Sequence, residues 1–66
     1  MNITVNGKPT ETAAGSTLQS LLDQLRLDCR HVVVERNHAI VPRQRFVEES
    51  LAEGDTLEIV HFVGGG

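Results

Sequence analysis

A stripe of leucines constrains the fold of this 66-residue chain more than any other feature of its sequence. The stripe consists of Leu18, Leu21, Leu22 and Leu25. Their i, i+3, i+4, i+7 spacing predicts an amphipathic α-helix with one apolar side. Ser16 and Gln19 have the spacing of a capping box, so the helix is predicted to begin beside Ser16. We expect it to end near Arg26, after about ten residues.

Short segments with strand character surround this helix. Residues 1–5 alternate apolar and polar side chains, Asn6-Gly7 favours a two-residue turn, and residues 8–12 return as a second strand. Pro9 cannot donate a ladder hydrogen bond, so the second strand is predicted to lie at an edge of the sheet. After the helix, further strands are predicted at residues 31–35, 39–41 and 56–63.

The order hairpin, helix, strand, short strand, strand predicts an α+β fold. Because parallel strands need a crossover connection, a right-handed crossover through the helix would place the first and last strands together at the sheet centre. The predicted class is the ubiquitin-like β-grasp, a mixed sheet of four to five strands with one main helix. Residues 1–63 are predicted to form this domain, and residues 64–66 a flexible glycine tail.

Composition argues against several classes of function. A formal charge of −3, a pI near 5.4 and the lack of Trp and Tyr disfavour a nucleic-acid partner. Cys29 is the only cysteine, which excludes an internal disulfide and a cysteine-rich zinc site. No apolar run approaches the ~18 residues of a membrane span, and no secretion signal follows Met1. We therefore expect a cytoplasmic protein without membrane contacts.

Residues that could perform catalysis or bind a metal are few and scattered. His31, His38 and His61 share no helix face and have no converging carboxylates or thiolates, so they are predicted to be surface residues. Cys29 is predicted to be a small, partly buried hydrophobe, with sulfur relay as the alternative. The sequence predicts no catalytic residue and no metal site.

Charged residues of the second half admit two interpretations. Arg36, Arg43 and Arg45 could form a basic docking spot for an acidic partner. The simpler interpretation is a solvated charged surface, and it applies equally to Glu48, Glu49 and Glu53.

The sequence finishes with three glycines, which follow a β-forming segment without a polar spacer. Lacking a Cβ, Gly64 and Gly65 permit close approach of other groups, and three residues reach at most about 10 Å. Such an arm could thread the Gly66 carboxylate into a narrow pocket, although a frayed terminus is the alternative. The candidate docking residues beside it are Val60, Phe62 and Val63.

Six short segments of this sequence are each a weak signal alone, but together and in this order they are specific. They are Met1-Asn-Ile-Thr-Val-Asn-Gly7, Gly15-Ser-Thr-Leu18, Ile40-Val-Pro-Arg43, Leu51-Ala-Glu-Gly-Asp55, Leu57-Glu-Ile-Val60 and Val63-Gly-Gly-Gly66. With them the chain resembles, over essentially its whole length, the thiamine-biosynthesis sulfur carriers, a family of small ubiquitin-like proteins. Two residues depart from this pattern: His38 occupies a turn where glycine would be easier, and the resemblance implies no role for Cys29.

The resemblance implies a carrier that is a substrate of other enzymes and binds no cofactor itself. An adenylating (E1-like) enzyme would use ATP to convert the Gly66 carboxylate into an acyl-adenylate. Sulfur from a cysteine desulfurase system would displace AMP and leave a thiocarboxylate. Thiazole synthase would then take this sulfur into the thiazole ring of thiamine, while Gly64 and Gly65 thread the tail into each partner.

Three alternatives stay open at the level of sequence. A molybdopterin synthase small subunit would share the fold, the tail and the thiocarboxylate. A ubiquitin-like protein modifier would join its C-terminus to lysines, but Lys8 is the only lysine through which this chain could extend itself. A purely structural interaction domain is the third alternative.

Overall fold

The computed structural model describes residues 1–63. Its elements are the strands β1 (Asn2–Val5), β2 (Lys8–Glu11), β3 (Val32–Arg36), β4 (Ala39–Ile40) and β5 (Thr56–His61), with the helix α1 (Leu18–Gln24) between β2 and β3. Short 3-10 helices occupy Cys29–His31 and Arg43–Arg45. No helix among these residues has the length and apolar character needed to cross a membrane.

The five strands form one mixed sheet in the order β2-β1-β5-β3-β4. β1 and β5 are parallel at the centre, and every other neighbouring pair is antiparallel. This arrangement confirms the predicted placement of the first and last strands and of β2 at an edge. It is the β-grasp fold.

Two tight turns of the same kind close the two hairpins. Asn6 and Gly7 connect β1 to β2 with φ angles of 51° and 80°, and Asn37 and His38 connect β3 to β4 with 51° and 74°. Positive φ at both central positions is the requirement of a type I′ turn, which matches the twist of the flanking strands. His38 meets this requirement without being glycine, so the second hairpin contains a strained residue.

The start of α1 differs from its prediction by one residue. The cap is Thr17, whose hydroxyl accepts from Ser20 N at 3.2 Å, while the Ser20 hydroxyl accepts from Thr17 N at 2.9 Å. The predicted Ser16–Gln19 capping box is wrong, because the Ser16 hydroxyl donates to Ala13 O at 2.6 Å instead. A serine, a threonine and a second serine in close succession leave the position of the cap open in the sequence.

The helix is also shorter than predicted, with seven residues. Arg26 has a φ of 60°, and its N–H donates to Asp23 O at 3.1 Å. Leu27 N donates to Leu22 O at 2.9 Å. These bonds form a Schellman motif, a helix ending that usually uses glycine at the left-handed position. The helix therefore ends beside Arg26, as predicted, although arginine and not glycine occupies the left-handed position.

The strand limits shift by one or two residues. β3 begins at Val32 rather than His31, since residues 29–31 form a 3-10 helix capped by the Asp28 side chain. β5 ends at His61 rather than near Val63.

One apolar core lies between the helix and the inner face of the sheet. Its buried members are Ile3, Val5, Leu18, Leu21, Leu22, Val32, Val34, Val41, Phe46, Leu51, Leu57 and Ile59. Met1 and Leu25 are partly buried against it. Phe46 is 2% exposed although it lies in the polar segment between β4 and β5, so this segment closes one end of the core.

Candidate functional site

The central strand β5 leads directly toward the glycine segment. Its last residue, His61, stands three positions before Gly64. On one side β5 pairs with β1, and on the other β3 follows it from Arg36 opposite Leu57 to Val32 opposite His61. The backbone of β5 therefore pairs with β1 at its start and with β3 up to its end at His61.

Two asparagine side chains attach the hairpin turns to β5. Asn6 Nδ2 donates to Ile59 O at 3.0 Å, and Ile59 N donates to Asn6 Oδ1 at 2.7 Å. At the other end of the strand, Thr56 N donates to Asn37 Oδ1 at 2.9 Å. The turn chemistry of Asn6 was predicted from sequence, but these contacts were not, since they join residues more than fifty positions apart in the case of Ile59.

A network of charged groups fixes the start of β5. The Asp55 carboxylate accepts from Arg36 Nε at 2.9 Å, from Asn37 Nδ2 at 3.1 Å and from Ala52 N at 2.8 Å. Arg36 Nη1 also donates to Glu49 Oε2 at 2.9 Å. Arg36 and Glu49 therefore form part of the fold, and the solvated interpretation is wrong for both.

This network shifts the pKa of both Asp55 and Arg36. Burial alone would raise the pKa of the Asp55 carboxyl, but its hydrogen bonds to Ala52, Asn37 and Arg36 outweigh burial and hold the pKa below the ordinary value. Hydrogen bonding to Glu49, followed by that to Asp55, raises the pKa of the Arg36 guanidinium. The Arg36–Asp55 ion pair is thus maintained throughout the neutral range.

An apolar patch covers the outer face of the sheet near the end of β5. Val60 and Val33 are register partners, with 61% and 44% of their surface exposed. Phe62 is 41% exposed, and its ring contacts that of His31 edge-on with centroids 6.2 Å apart. We call Val33, Val60 and Phe62 the outer-face patch. Val60 and Phe62 lie opposite the buried Leu57 and Ile59, as predicted, whereas Val33 was missed.

The remaining predicted candidates lie apart from any reactive arrangement. His31 and His61 contact each other edge-on, with centroids 6.4 Å apart, and His38 lies in the β3–β4 turn. Residues 1–63 contain no group of three or more His, Cys, Asp or Glu that could hold a metal. Cys29 is half-buried against the core, which confirms its predicted partial burial.

Residues 3–66 match the profile of the ThiS family. The chain belongs to the ThiS family. The sulfur carrier protein ThiS of Bacillus subtilis (strain 168) is 43% identical over 63 residues, which cover 94% of this chain and 96% of that protein. The crystal structure of the thiamine biosynthesis protein (ThiS) from Geobacter metallireducens superposes with a TM-score of 0.85 at 36% identity, and the match covers 100% of both chains.

A longer relative also matches. The thiazole synthase of Paramagnetospirillum magneticum (strain ATCC 700264 / AMB-1) is 42% identical over 66 residues, which cover all of this chain. The chain spans only 20% of that protein's length.

ThiS family membership confirms the resemblance and the ubiquitin-like β-grasp fold predicted from sequence. Of the predicted site residues, Val60, Phe62 and Val63 are exposed at the end of β5, with Val63 at 89%. Gly64, Gly65 and Gly66 lie outside the described residues 1–63.

Proposed function

We propose that this protein is a sulfur carrier of thiamine biosynthesis, with the Gly66 carboxyl group as the position that is loaded. It is not an enzyme in this role, because the chemistry takes place in the active sites of its partners. Membership in the ThiS family and the name of the Bacillus subtilis relative, a sulfur carrier protein, support this function.

The proposal rests above all on the placement of β5. This strand is the central one of the sheet and is the element closest to the glycines along the chain. A segment that follows closely on a strand with neighbours on both sides has a defined starting point. Gly64 and Gly65 would then fit into a narrow channel of a partner's active site, because glycine has no side chain to collide with the channel walls.

Loading requires activation, since a carboxylate is a poor electrophile. A partner adenylating enzyme joins the Gly66 carboxylate to the α-phosphate of ATP and releases pyrophosphate. The terminal sulfur of a persulfide, supplied by a cysteine desulfurase system, attacks the acyl carbon and displaces AMP. A second thiol cleaves the resulting S–S bond and is oxidised to a disulfide, and the carrier retains the sulfur as a thiocarboxylate.

Thiazole synthase is the proposed acceptor of this sulfur. A named thiazole synthase contains, within 20% of its length, a segment similar to the whole of this chain. A carrier segment and a synthase within one protein support a direct transfer between the two. The thiocarboxylate suits this step because its sulfur is a good nucleophile at neutral pH.

The surface beside the tail is proposed to dock these partners. Val60, Phe62 and Val63 are exposed and apolar, and Val33 extends the same surface. Exposed apolar groups that adjoin one another mark protein interaction sites more often than isolated ones do. Because loading needs ATP and reduced thiols, we place the reaction in the cytoplasm.

Intact mass spectrometry tests the carrier function. After incubation with an adenylating enzyme, ATP and a persulfide donor, the mass should rise by the difference between one sulfur and one oxygen, and fragmentation should place the change at Gly66. A variant lacking Gly66 is the control and should not change. An unaltered wild-type mass, under conditions where the enzyme consumes ATP with another carrier, would contradict the proposal.

A second experiment separates this function from its alternatives. Pull-down with the loaded protein should retain thiazole synthase. Retention of a molybdopterin synthase large subunit would assign the protein to the other pathway, and isopeptide bonds from Gly66 to lysines of other proteins would identify a modifier.

A further inference from the structure

The two hairpin turns place an asparagine at the same position. Asn6 and Asn37 each stand first in a type I′ turn, with a φ of 51° in both cases. Both residues are exposed, and both side-chain amides are hydrogen bonded to the segment 55–59. The residue that follows is Gly7 in the first turn and His38 in the second. The chain therefore contains two matched asparagines that differ in the next residue.

An asparagine side chain can react with the backbone of the residue that follows it. In the first turn, the backbone nitrogen of Gly7 attacks Cγ of Asn6. The bond between Gly7 N and Asn6 Cγ forms, the Cγ–Nδ2 bond breaks, and Nδ2 leaves as ammonia with the proton of the Gly7 amide. Water then opens the succinimide ring, to aspartate when it adds at Cγ and to isoaspartate when it adds at the main-chain carbonyl. The net change exchanges an NH2 group for OH, without an enzyme, a metal or an oxidant.

The following residue controls the access of its nitrogen to Cγ. In each turn the side-chain amide must first detach from its hydrogen-bond partners. Gly7 then has no Cβ beside the attacking nitrogen, and glycine changes its backbone angles more freely than other residues. Its surroundings are open, since even an added Cβ would meet no atom within 4 Å. His38 carries a Cβ and an imidazole ring at the equivalent position, which crowd the approach and restrict the backbone.

We propose that Asn6 is a site of spontaneous deamidation and that His38 protects Asn37 from the same reaction. The strained φ of 74° at His38 thereby has a chemical consequence. A glycine in its place would relieve the strain but would open Asn37 to attack. The proposal concerns the chemistry of the two turns and is independent of the carrier function.

Deamidation would affect the fold unequally in the two turns. At Asn6 it replaces the Nδ2 donor to Ile59 O, 3.0 Å away, with an oxygen, while the acceptor for Ile59 N remains. At Asn37 it replaces the Nδ2 donor to Asp55 Oδ1, 3.1 Å away, with a carboxylate oxygen. Two carboxylates would then meet where the Asp55 side chain is only 8% exposed, and like charges shielded from water repel strongly. His38 thus follows the asparagine whose conversion would harm the fold more.

Timed incubation of the full-length protein tests the reaction. The attacking nitrogen must lose its proton, so the folded protein is kept in mildly alkaline buffer and sampled over several days. Cleavage after glutamate then yields fragment 1–11, which contains Asn2 and Asn6, and fragment 36–48, which contains Asn37. The mass of fragment 1–11 should rise by the difference between OH and NH2, and electron-transfer fragmentation should place the change at Asn6. Asn37 should keep its amide over the same period, as should Asn2, which precedes the β-branched Ile3.

Exchange of the following residues tests the role of His38. His38→Gly should make Asn37 react at a rate similar to that of Asn6. Gly7→His should slow the reaction at Asn6 to the rate of Asn37 in the wild type. His38→Ala is the control that removes the imidazole but keeps the Cβ, and its Asn37 should react more slowly than in His38→Gly. Because Gly7→His introduces strain, the result for His38→Gly, which relieves strain, decides by itself.

Variants that reproduce the aspartate products measure the consequence for the fold. Asn6→Asp and Asn37→Asp should both lower the urea midpoint at neutral pH, since each loses a hydrogen-bond donor. Asn37→Asp should lower it further, because repulsion from Asp55 is added to that loss. Equal midpoints in the two variants would contradict the unequal effect on the fold.

Three outcomes of the incubation would overturn the proposal. An unmodified Asn6 in the folded wild-type protein would show that its hydrogen bonds to Ile59 prevent the reaction. Modification of Asn37 at the same rate as Asn6 would show that His38 gives no protection. An unreactive Asn37 in His38→Gly would show that its own hydrogen bonds preserve it, whichever residue follows. None of these outcomes depends on sulfur loading, so a failure of the carrier function is distinguished from a failure of this proposal.

Discussion

The side-chain amide of Asn6 pairs with the backbone of Ile59 as an additional strand residue would. It both donates to the Ile59 carbonyl and accepts from the Ile59 N–H. β1 ends at Val5, so this side chain continues the pairing of the central strands beyond the backbone of β1. The first turn of the protein therefore stabilises the strand that leads to the glycines.

Asn6→Gly should reduce the free energy of unfolding by about 1–3 kcal/mol, because two hydrogen bonds to Ile59 are lost. Glycine tolerates the φ of 51° at this position, so the change isolates the side-chain contribution from turn strain. Urea unfolding followed by circular dichroism measures the difference. A variant as stable as the wild type would show that water replaces the amide without cost.

His38→Gly should stabilise the protein by about 1 kcal/mol. His38 has a φ of 74°, which glycine adopts without the steric cost that a Cβ carries. The equivalent turn provides a matched control, because Gly7 has a φ of 80° and a Cβ there would meet no atom within 4 Å. Gly7→His should therefore destabilise by a similar amount. Equal stability of His38→Gly and wild type in urea unfolding would show that the second turn holds no such strain.

Asp55 should make the free energy of unfolding depend on pH in the acidic range. Its pKa is lower in the folded protein than the ordinary value of 3.8, so its stabilising contribution is complete above that value. The contribution is lost as the pH falls through the folded-state pKa. Asp55→Asn should cost about 2 kcal/mol at pH 7 and flatten the decline of the urea midpoint below about pH 4.

Asp28→Asn is the comparison for this experiment. Hydrogen bonds from Arg30 also lower the pKa of the Asp28 carboxyl, but 37% of this side chain is exposed, against 8% for Asp55. Replacing Asp28 should therefore lower the free energy of unfolding at pH 7 by less than replacing Asp55 does. A steeper acid dependence in Asp55→Asn than in wild type would mean that the Asp55 carboxylate destabilises the folded protein, the opposite of the expected sign.

The double variant Val33→Thr/Val60→Thr should weaken docking without weakening the fold. Threonine keeps the β-branched shape that favours strands but replaces a methyl group with a hydroxyl. Both valines are exposed, so stability should change by less than about 1 kcal/mol. We expect KM for adenylation to rise about tenfold. Val47→Thr changes a residue that is 68% exposed and outside the sheet, and should leave KM unaltered.

Cys29→Ala should leave sulfur loading intact. The thiol is half-buried against the core and is the only one in the chain, which suits packing rather than relay. Loss of its contacts should cost about 1 kcal/mol or less in urea unfolding. Abolished loading in a variant that remains folded would reveal a relay function for this thiol.

Local rules predicted the framework of this fold. The leucine spacing placed α1, Asn6-Gly7 placed the first hairpin, and Pro9 placed β2 at the edge, because each of these signals acts over a few residues. The Thr17 cap was missed, since neighbouring hydroxyls compete for one cap. The helix ends beside Arg26 as predicted, but its left-handed conformation there was not, since arginine is an uncommon choice for such a position.

The long-range polar contacts could not be predicted. Nothing in the sequence distinguishes Asp55 from an ordinary turn residue. Only the fold brings Arg36 Nε within 2.9 Å of its carboxylate oxygen Oδ2. The apolar character of Val60 and Phe62 was visible, but the partnership of Val60 with Val33 depends on the register of two strands that the chain does not connect directly. The glycines, in contrast, stood out because composition alone distinguishes them.

The parallel pairing of β1 and β5 also determines how the protein bears mechanical load. The two strands run in the same direction, so the start of β1 and the end of β5 lie at opposite ends of the sheet. Traction on Phe62 and Val63 against the amino-terminal strand would stretch the interstrand bonds in shear, all at once rather than one by one. A pull through Phe62 and Val63 would therefore be opposed by the hydrogen bonds between β1 and β5 together.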